Sequence, residues 1–283
     1  YSNVTDAEGT STANDIFTSF DSTGFTLGGA DPSADGLNQN TQPYVAWTWD
    51  AGSSTVTNTQ GSITSQVRAN ASAGFAVITG STPSTNINFT FGHGLGVAPS
   101  LVIYKHTAVS GNWQTYHRSG GGNNYNLNGT AGPANSGTWS GLDPTSTLIT
   151  IPSVIVSANS SAFVCYAFSP VAGYSSFGSY VGNGAQPEGP FIYTGFKPAF
   201  LMIKSSSAGL DGWFIMDNKR PSNNLVNKYL YANTSDSEAD ANICDFCANG
   251  FKIRYNYAGI NQNGATYIYA AFAEHPFQSS RAR

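Results

Sequence analysis

The apolar pattern is clearest near the C-terminal end of the chain. Aromatic and β-branched residues run through Thr266–Phe272 without a polar alternate, directly after the turn signal Asn263-Gly264. Such a run predicts a short β-strand buried on both faces. Similar runs lie at Phe163–Phe168 and Tyr44–Trp49. Three copies of one strand predict three copies of one structural unit, and this strand is the closing core strand of each.

A second pattern occurs twice and joins the middle of the chain to its end. A Gly-x-x-Pro sequence is followed by an apolar run and a lysine at Gly96–Lys105 and again at Gly195–Lys204. Proline is tolerated at the first position of a strand, where its missing N–H costs little. Hairpin turn signals follow, and then Trp113 and Trp213 stand at equivalent positions. Each copy therefore predicts two antiparallel strands joined by a hairpin.

Two further alignments bear on the organisation of the chain. Residues 74–80 match residues 189–195, which predicts that the two segments form equivalent strands. Tyr1–Glu8 resembles Tyr231–Glu238, which lies in the second half of the last unit. The chain thus opens within a repeat, and we expect the natural protein to extend beyond its N-terminus.

Short strands separated by frequent turns predict an all-β fold of tandem, jelly-roll-like β-sandwich repeats. Little helix is expected, with at most a turn or two at Ser235–Phe246, where Ser235 or Asp236 could cap. The predicted divisions are the back half of a truncated first repeat (1–50), a linker or edge strand (51–73), a second sandwich (74–172), a linker (173–188) and a third sandwich (189–283).

Composition narrows the function classes. Charged residues make up 10% of the 283-residue chain, against roughly 25% in a typical soluble domain, while aromatic residues make up 13%. The aromatic content is enough for a packed core, so a disordered chain is excluded. A net charge of −4 without a basic stripe predicts no nucleic-acid binding. No run of about 18 apolar residues is present, which predicts no membrane insertion.

The sequence offers little catalytic chemistry. Glycoside hydrolysis needs two carboxylates in one cleft, and no carboxylate pair is flanked by the aromatics and glycines of a sugar cleft. The four histidines lack metal spacing, and no nucleophile elbow or phosphate loop is present. Cys244 and Cys247 form a Cys-x-x-Cys pair without a second pair, so all three cysteines are interpreted as structural, free or joined in one disulfide. These features favour a protein that is not an enzyme.

Calcium is a possible ligand of two acidic loops. Asp31 and Asp35 form one group, and Asp236, Glu238 and Asp240 form the other. Closely spaced carboxylates supply the hard oxygen ligands that calcium prefers. Neither group fits the EF-hand pattern, and solvated polar turns are the simpler interpretation.

Sugar binding is chemically plausible, because exposed Trp and Tyr rings stack on pyranose faces. The candidates are Trp113, Tyr116, Trp139 and Trp213. Trp113 and Trp213 occupy equivalent repeat positions, which favours a core role for both. Trp139 has no repeat partner and lies in a predicted loop, so it is the candidate for an exposed contact.

Several motifs resemble a repeat family of bacteriophage tail-fibre and tail-associated virion proteins, common in marine phages. They cover nearly the whole chain and comprise Phe20–Gly28, Tyr44–Gly52, Gly92–Gly96, Gly173–Tyr180 and Tyr267–Phe277. The resemblance implies an extracellular or virion-surface β-protein, at the C-terminal end of a longer fibre or adhesin. It carries no catalytic residues over to this chain.

The resulting hypothesis is a non-enzymatic tail-fibre or adhesin segment that binds a host surface receptor or glycan. Such a segment would assemble as a homo-oligomer, contact other virion proteins and gain avidity from multiple weak sites. One alternative is a structural decoration, spacer or filament subunit without a ligand pocket, and a second is a polysaccharide depolymerase. Function is expected in the loops that differ between copies, which are Ser81–Gly94, Gly120–Gly141 and Ser205–Gly212.

Overall fold

A computed structural model describes residues 1–9, 17–21, 24–28, 38–207, 211–221 and 224–274. The structure is nearly all β, with 42% strand and 4% helix, and it confirms the all-β sandwich class. Contacts divide the chain into two compact units. The smaller unit is Glu8–Trp49, and the larger unit combines Tyr1–Ala7 with Asp50–Arg283.

The smaller unit contains one described hairpin. Strand β1 (Phe17–Asp21) pairs antiparallel with β2 (Gly24–Leu27). The strand expected at Tyr44–Trp49 is not formed, and that prediction is wrong: the segment pairs with no strand among the described residues. Its side chains alternate between exposed and half-buried positions, so they lack the two-sided burial that the aromatic pattern suggested.

The middle repeat, defined here as residues 51–172, forms a sandwich of two sheets. Its strands are β3 (Val56–Asn58), β4 (Ser65–Asn70), β5 (Phe75–Ser81), β6 (Phe89–Gly92), β7 (Leu101–His106), β8 (Gln114–His117), β9 (Asn124–Asn126), β10 (Leu148–Ile151) and β11 (Ala162–Phe168). The seven-stranded sheet has the order β3-β4-β5-β11-β7-β8-β9, and β6 pairs with β10 in a two-stranded sheet. Phe89, Phe91 and Ile149 of the small sheet share one core with Ile78 and Val102 of the large sheet.

The C-terminal repeat, defined here as residues 173–274, forms one eight-stranded sheet. Its strands are β12 (Ser175–Val181), β13 (Phe191–Tyr193), β14 (Pro198–Ser205), β15 (Phe214–Asp217), β16 (Leu225–Tyr231), β17 (Ala239–Cys247), β18 (Gly250–Ile253) and β19 (Thr266–Ala273). The order is β12-β19-β14-β15-β16-β17-β18-β13. Both edge strands contribute to the same core, through Tyr180 and Ile192, and one sheet of the molecule is nearly closed and barrel-like.

Strand register confirms the Gly-x-x-Pro alignment. Phe168 of β11 lies opposite Leu101, and Phe272 of β19 lies opposite Phe200. Counting along the strands makes Lys105 and Lys204 equivalent. In both copies the hairpin that follows pairs two antiparallel strands, as the turn signals predicted.

The alignment of residues 74–80 with 189–195 is wrong. Strand β5 lies beside β11, and the strand that lies beside β19 is β12, whereas β13 pairs with β18 at the far edge of the sheet. Residues 173–188 therefore do not form only a linker. Strand β12 is rich in Gly and Ser, and Gly178 leaves room for the Tyr269 ring, because a Cβ there would lie 2.8 Å from the Tyr269 hydroxyl. Such a strand carries little apolar signal.

Helix is scarce, as predicted, but it is not where the sequence suggested. Ser235–Phe246 overlaps strand β17, and the short helix α1 spans Ala258–Asn261. Alternate residues of β17, such as Cys244 and Phe246, are buried in the C-terminal core, and this burial outweighs a weak capping signal. In the described ranges no helix is long and apolar enough to cross a membrane.

The three cysteines are free. Cys165 and Cys244 are buried in the cores of the two repeats, and Cys247 is partly buried. Burial raises the pKa of all three thiols, which keeps them protonated and unreactive at neutral pH. This placement agrees with a structural role.

Candidate functional site

Trp139 is not an exposed contact, and that expectation is wrong. Its side chain is 0% exposed and packs against Tyr116, with 5.3 Å between ring centroids. Its Nε1 donates a hydrogen bond to Asn124 Oδ1 at 3.3 Å. Because a neighbouring strand supplies an acceptor for the indole N–H, the loop can fold the whole ring into the core.

Tyr116 is also buried rather than available to a ligand. Its hydroxyl donates to Asp143 Oδ1 at 2.7 Å. Burial, followed by the bond to Asp143, raises the pKa of Tyr116 well above its usual range. The side chain is a satisfied core tyrosine.

Trp213 has the core role that its repeat position suggested, whereas Trp113 is only partly buried. Trp213 is 2% exposed and donates Nε1–H to the Asn126 carbonyl oxygen at 3.0 Å. Trp113 is partly buried and donates Nε1–H to the Tyr1 carbonyl oxygen at 3.1 Å. Both indole N–H groups bind backbone carbonyls, and burial keeps the Trp213 ring from a sugar.

The predicted calcium sites receive no support. Asp31 and Asp35 lie outside the described residues. Glu238 and Asp240 bind Lys228, with N–O distances of 3.8 and 3.0 Å, and Glu238 also binds Arg220 at 3.1 Å. Cations of the protein itself thus occupy these carboxylates, and Asp236 is exposed. The described residues contain no group of three or more His, Cys, Asp or Glu side chains that could hold a metal ion.

A cluster of four tyrosines in the C-terminal repeat is the better candidate site. Tyr229 and Tyr231 are alternate residues of β16, so they project from the same face of the strand. Tyr255 and Tyr257 are alternate residues of the segment between β18 and α1. We call these four residues the tyrosine cluster.

The rings pack around the buried side chain of Phe214. Its centroid lies 4.7 Å from that of Tyr231, 5.3 Å from that of Tyr229 and 6.0 Å from that of Tyr257. Tyr255 and Tyr257 stack at 5.9 Å with 19° between their planes. Phe214 starts β15 and Tyr231 ends β16, so the cluster stands where two paired core strands meet the loops.

A carboxylate completes the site. The Tyr257 hydroxyl donates to Asp211 Oδ1 at 2.8 Å. This hydrogen bond, followed by burial, raises the pKa of Tyr257 to about 12. Burial, with Tyr229 beside it, holds the pKa of Tyr231 far above its usual range. Both phenols are therefore neutral at physiological pH and remain hydrogen-bond donors.

The cluster is accessible from solvent. Tyr257 is 37% exposed, and the other three tyrosines are partly buried, with Tyr229, Tyr231 and Tyr255 packed against the C-terminal core. A group of tyrosine rings beside hydroxyls and one carboxylate can stack on an apolar sugar face and hydrogen-bond its hydroxyls. None of the four tyrosines was singled out from the sequence.

The sequence did contain a signal for this site. Tyr-x-Tyr occurs at Tyr229–Tyr231 and at Tyr255–Tyr257, and this alternation places both members of a pair on one side of an extended chain. In the middle repeat, strand pairing puts Asn124 and Asn126 at the positions of Tyr229 and Tyr231. The difference between copies marks the site, and Asp211 lies in Ser205–Gly212, one of the loops in which function was expected.

A shallow cavity of about 290 Å³ lies elsewhere on the C-terminal repeat. Its lining residues are Gln186, Pro187, Leu225, Asn242, Asp245 and Arg254. The Arg254 guanidinium already donates to Asp245 at 2.7 Å, so the cavity presents no unpaired charge to a ligand.

Comparison with known proteins places the chain in a family without assigning an activity. No curated protein and no solved structure matches it. One family model, described as a domain of unknown function (DUF7483), matches residues 1–276. Since the match covers nearly the whole chain, the protein belongs to the DUF7483 family.

Proposed function

We propose that this protein is a non-enzymatic, virion-surface attachment protein that binds saccharides of a host cell surface through the tyrosine cluster. The observation that carries the proposal is a group of partly exposed tyrosine rings, one of which, Tyr257, donates a hydrogen bond to Asp211. The resemblance of the repeat motifs to phage tail-fibre proteins supports the choice of a host surface as the target. A single site of this size would bind weakly, and a homo-oligomer would supply avidity.

A depolymerase is less well supported. Hydrolysis of a polysaccharide uses two carboxyl groups on either side of the scissile bond. Among the described residues, Asp211 is the one carboxylate that is hydrogen-bonded to the tyrosine cluster. The site therefore suits recognition of a sugar better than its cleavage.

A structural subunit is the second candidate, and a specific observation favours it. Lysine and tryptophan side chains of both repeats donate hydrogen bonds to the backbone of another segment, Tyr1–Thr5 or Asn126–Thr130. Such junctions suit a building block of a larger assembly. The two functions are compatible, because the junctions and the tyrosine cluster use different residues.

A glycan array probed with the purified chain tests the proposal. We expect binding to a defined set of saccharides that falls at least tenfold in Tyr257→Ala. Tyr193→Ala is the matched control, because Tyr193 is 65% exposed on the same repeat and does not belong to the cluster. The proposal is wrong if no saccharide binds, or if the two variants lose binding equally.

Release of reducing ends from bound polysaccharide separates binding from hydrolysis. We expect none above the buffer control. Release that disappears in Asp211→Asn would replace the attachment function with the depolymerase.

A further inference from the structure

Two equivalent pairs of side chains bind backbone in the same way. In the C-terminal repeat, Lys204 Nζ donates to the Thr130 carbonyl and Trp213 Nε1 to the Asn126 carbonyl, both at 3.0 Å. Lys204 and Trp213 lie on the hairpin of β14 and β15, whereas Asn126 and Thr130 lie in the middle repeat. The C-terminal repeat therefore binds the backbone of Asn126–Thr130 in the repeat before it, and we call such a bound stretch a gripped segment.

The middle repeat grips the start of the chain through the same two positions. Lys105 Nζ donates to the Thr5 carbonyl at 3.2 Å, and Trp113 Nε1 donates to the Tyr1 carbonyl at 3.1 Å. The acceptors are four residues apart in both junctions. Tyr1–Thr5 thus occupies on the middle repeat the place that Asn126–Thr130 occupies on the C-terminal repeat.

A third copy of the gripped segment exists in the C-terminal repeat. Asn128 Oδ1 accepts from the Trp113 backbone N–H at 2.9 Å, and Asn233 Oδ1 accepts from the Trp213 N–H at 2.8 Å. The residue before each asparagine donates its N–H to the carbonyl of the same tryptophan. Asn233 is therefore equivalent to Asn128, which makes Tyr231–Ser235 the equivalent of the gripped segment.

Within the described part of the chain, no side chain donates a hydrogen bond to the carbonyl oxygen of Tyr231 or Ser235, and Ser235 is exposed. The apolar position next to this segment also differs in burial between the two repeats. Tyr125 is 0% exposed and lies edge-on to Trp213, with 6.3 Å between ring centroids. Its equivalent, Leu230, is only partly buried.

The first and third segments are also neighbours. Ser2 Oγ donates to the Ala232 carbonyl at 2.6 Å. The open segment thus lies directly beside a junction that is already made, and a hairpin seated on Tyr231–Ser235 would continue that established interface.

We propose that Tyr231–Ser235 is an acceptor site for a β-hairpin of the same repeat type on another polypeptide. The hairpin would carry a lysine and, eight or nine residues later, a tryptophan, as in Lys105–Trp113 and Lys204–Trp213. The lysine ammonium would donate to the Ser235 carbonyl and the indole to the Tyr231 carbonyl. The two such hairpins among the described residues are already seated, so the proposed occupant is a third hairpin from outside residues 1–283.

This acceptor site and the tyrosine cluster share Tyr231 but use different groups of it, the carbonyl oxygen in the acceptor site and the ring in the cluster. Leu230 lies between Tyr229 and Tyr231 in β16, so its side chain and the cluster lie on opposite sides of the strand. Occupation of one site leaves the other free, and the two proposals can fail independently.

A probe with a freed hairpin tests the proposal. Deleting residues 1–7 removes the segment that Lys105 and Trp113 hold, and the full chain supplies the acceptor. We expect the immobilised full chain to capture the truncated chain and to bind the same chain with Lys105→Met and Trp113→Phe at least tenfold more weakly. Leu230→Arg in the immobilised chain should cause a similar loss. Capture no greater than that of a full-length probe would overturn the proposal.

A second design keeps every residue of the chain, in case the truncated probe does not fold. A further copy of residues 74–125 is placed directly before Tyr1, because Asn126 and Tyr1 are equivalent. We expect this fusion to melt at least 2 °C above the same fusion with Lys105→Met and Trp113→Phe in the added copy alone. Equal melting temperatures would contradict the acceptor site.

Discussion

The middle and C-terminal repeats place different residues at one equivalent position, and those residues bind different partners. Register makes His117 of β8 and Asp217 of β15 equivalent, because they lie opposite Leu101 and Phe200. Both are almost fully buried, and both accept the backbone N–H of the residue two positions later. The turn that each side chain closes is the same, and the difference lies in what else each one binds.

His117 joins the two repeats. Its Nδ1 accepts from the Ser119 N–H, and its Nε2 lies 3.0 Å from the Tyr269 carbonyl in the C-terminal repeat. An acceptor on one nitrogen and a donor on the other require the neutral ring with its proton on Nε2. Burial lowers the pKa of His117 to about 4, which keeps that form at neutral pH.

Asp217 instead closes its own repeat. It accepts from the Lys219 and Arg220 backbone N–H groups and pairs with the Arg220 guanidinium at 2.7 Å. Burial alone would raise the pKa of Asp217, but the bonds from Arg220 and Lys219 lower it overall. In both repeats the lysine and tryptophan bind another segment of the chain. At the position of His117 and Asp217 the repeats differ, because His117 contacts the other repeat and Asp217 binds residues of its own.

The largest expected effect separates the two tryptophans. Trp213→Ala should lower the free energy of unfolding by about 4 kcal/mol, because a fully buried indole is lost and a cavity remains. Trp113→Ala should cost about half as much, because Trp113 is only partly buried. Denaturant unfolding of both variants measures the difference. Equal costs would mean that the two junctions are not distinguished by burial.

The next effect is the acid sensitivity of the contact between the repeats. His117 has a folded pKa of about 4, below its ordinary value of 6.5, so the unfolded chain binds more protons between these values. Acidification from pH 6.5 to pH 4 should therefore remove stability, by about 3 kcal/mol from this histidine.

The control for that effect is His117→Gln measured over the same pH range. Burial also lowers the pKa values of His93 and His106, so the wild-type curve sums several histidines. The difference between wild type and variant isolates His117. Parallel curves would show that this histidine does not carry the acid sensitivity.

A smaller effect on stability, at alkaline rather than acidic pH, is expected from Lys204. Burial lowers the pKa of Lys204 from 10.5 to about 8, so the unfolded chain binds more protons between these values. Stability from this lysine should therefore rise with pH above 8, by about 2 kcal/mol between pH 8 and pH 9.5. Lys204→Met should remove the rise, which unfolding midpoints across that range will show. A rise of the same size in the variant would assign it to other groups.

The smallest effect concerns the tyrosine cluster. Tyr257→Phe keeps the ring and removes the hydroxyl bonded to Asp211. Because this group is partly exposed, the cost to stability should be about 1 kcal/mol or less. The free energy of saccharide binding should change by more than the free energy of unfolding. Calorimetric titration measures the first, and thermal unfolding measures the second. Unchanged affinity would exclude the Tyr257 hydroxyl from recognition.

The sequence predicted the features that repeat and missed those that do not. The strands ending near Phe168 and Phe272 were recognised because a strand buried on both faces has an uninterrupted run of apolar residues. Strand β12 was missed because its place in the sheet depends on Gly178 leaving room for Tyr269, a relation between residues distant in sequence. Tyr44–Trp49 shows the converse, since its strong β pattern forms no strand among the described residues.

The candidate site was harder to predict than the fold. Trp139 was the favoured contact because it is large and lies in a loop, and the loop instead buries it against Asn124. The tyrosine cluster joins β16, the segment before α1 and Asp211, so no single stretch of sequence contains it. The two Tyr-x-Tyr pairs are visible in the sequence, but only the fold brings them together.

The most direct test of the account follows the tyrosine rings themselves. The chain labelled with ¹³C at tyrosine rings is titrated with the saccharide selected on the array, and its NMR signals are assigned with Tyr→Phe variants. We predict shifts at Tyr229, Tyr231, Tyr255 and Tyr257, and none at Tyr104 and Tyr125, which are buried in the middle repeat. Shifts at Tyr193 with the cluster unchanged would contradict the claim that the C-terminal repeat binds sugar through this site.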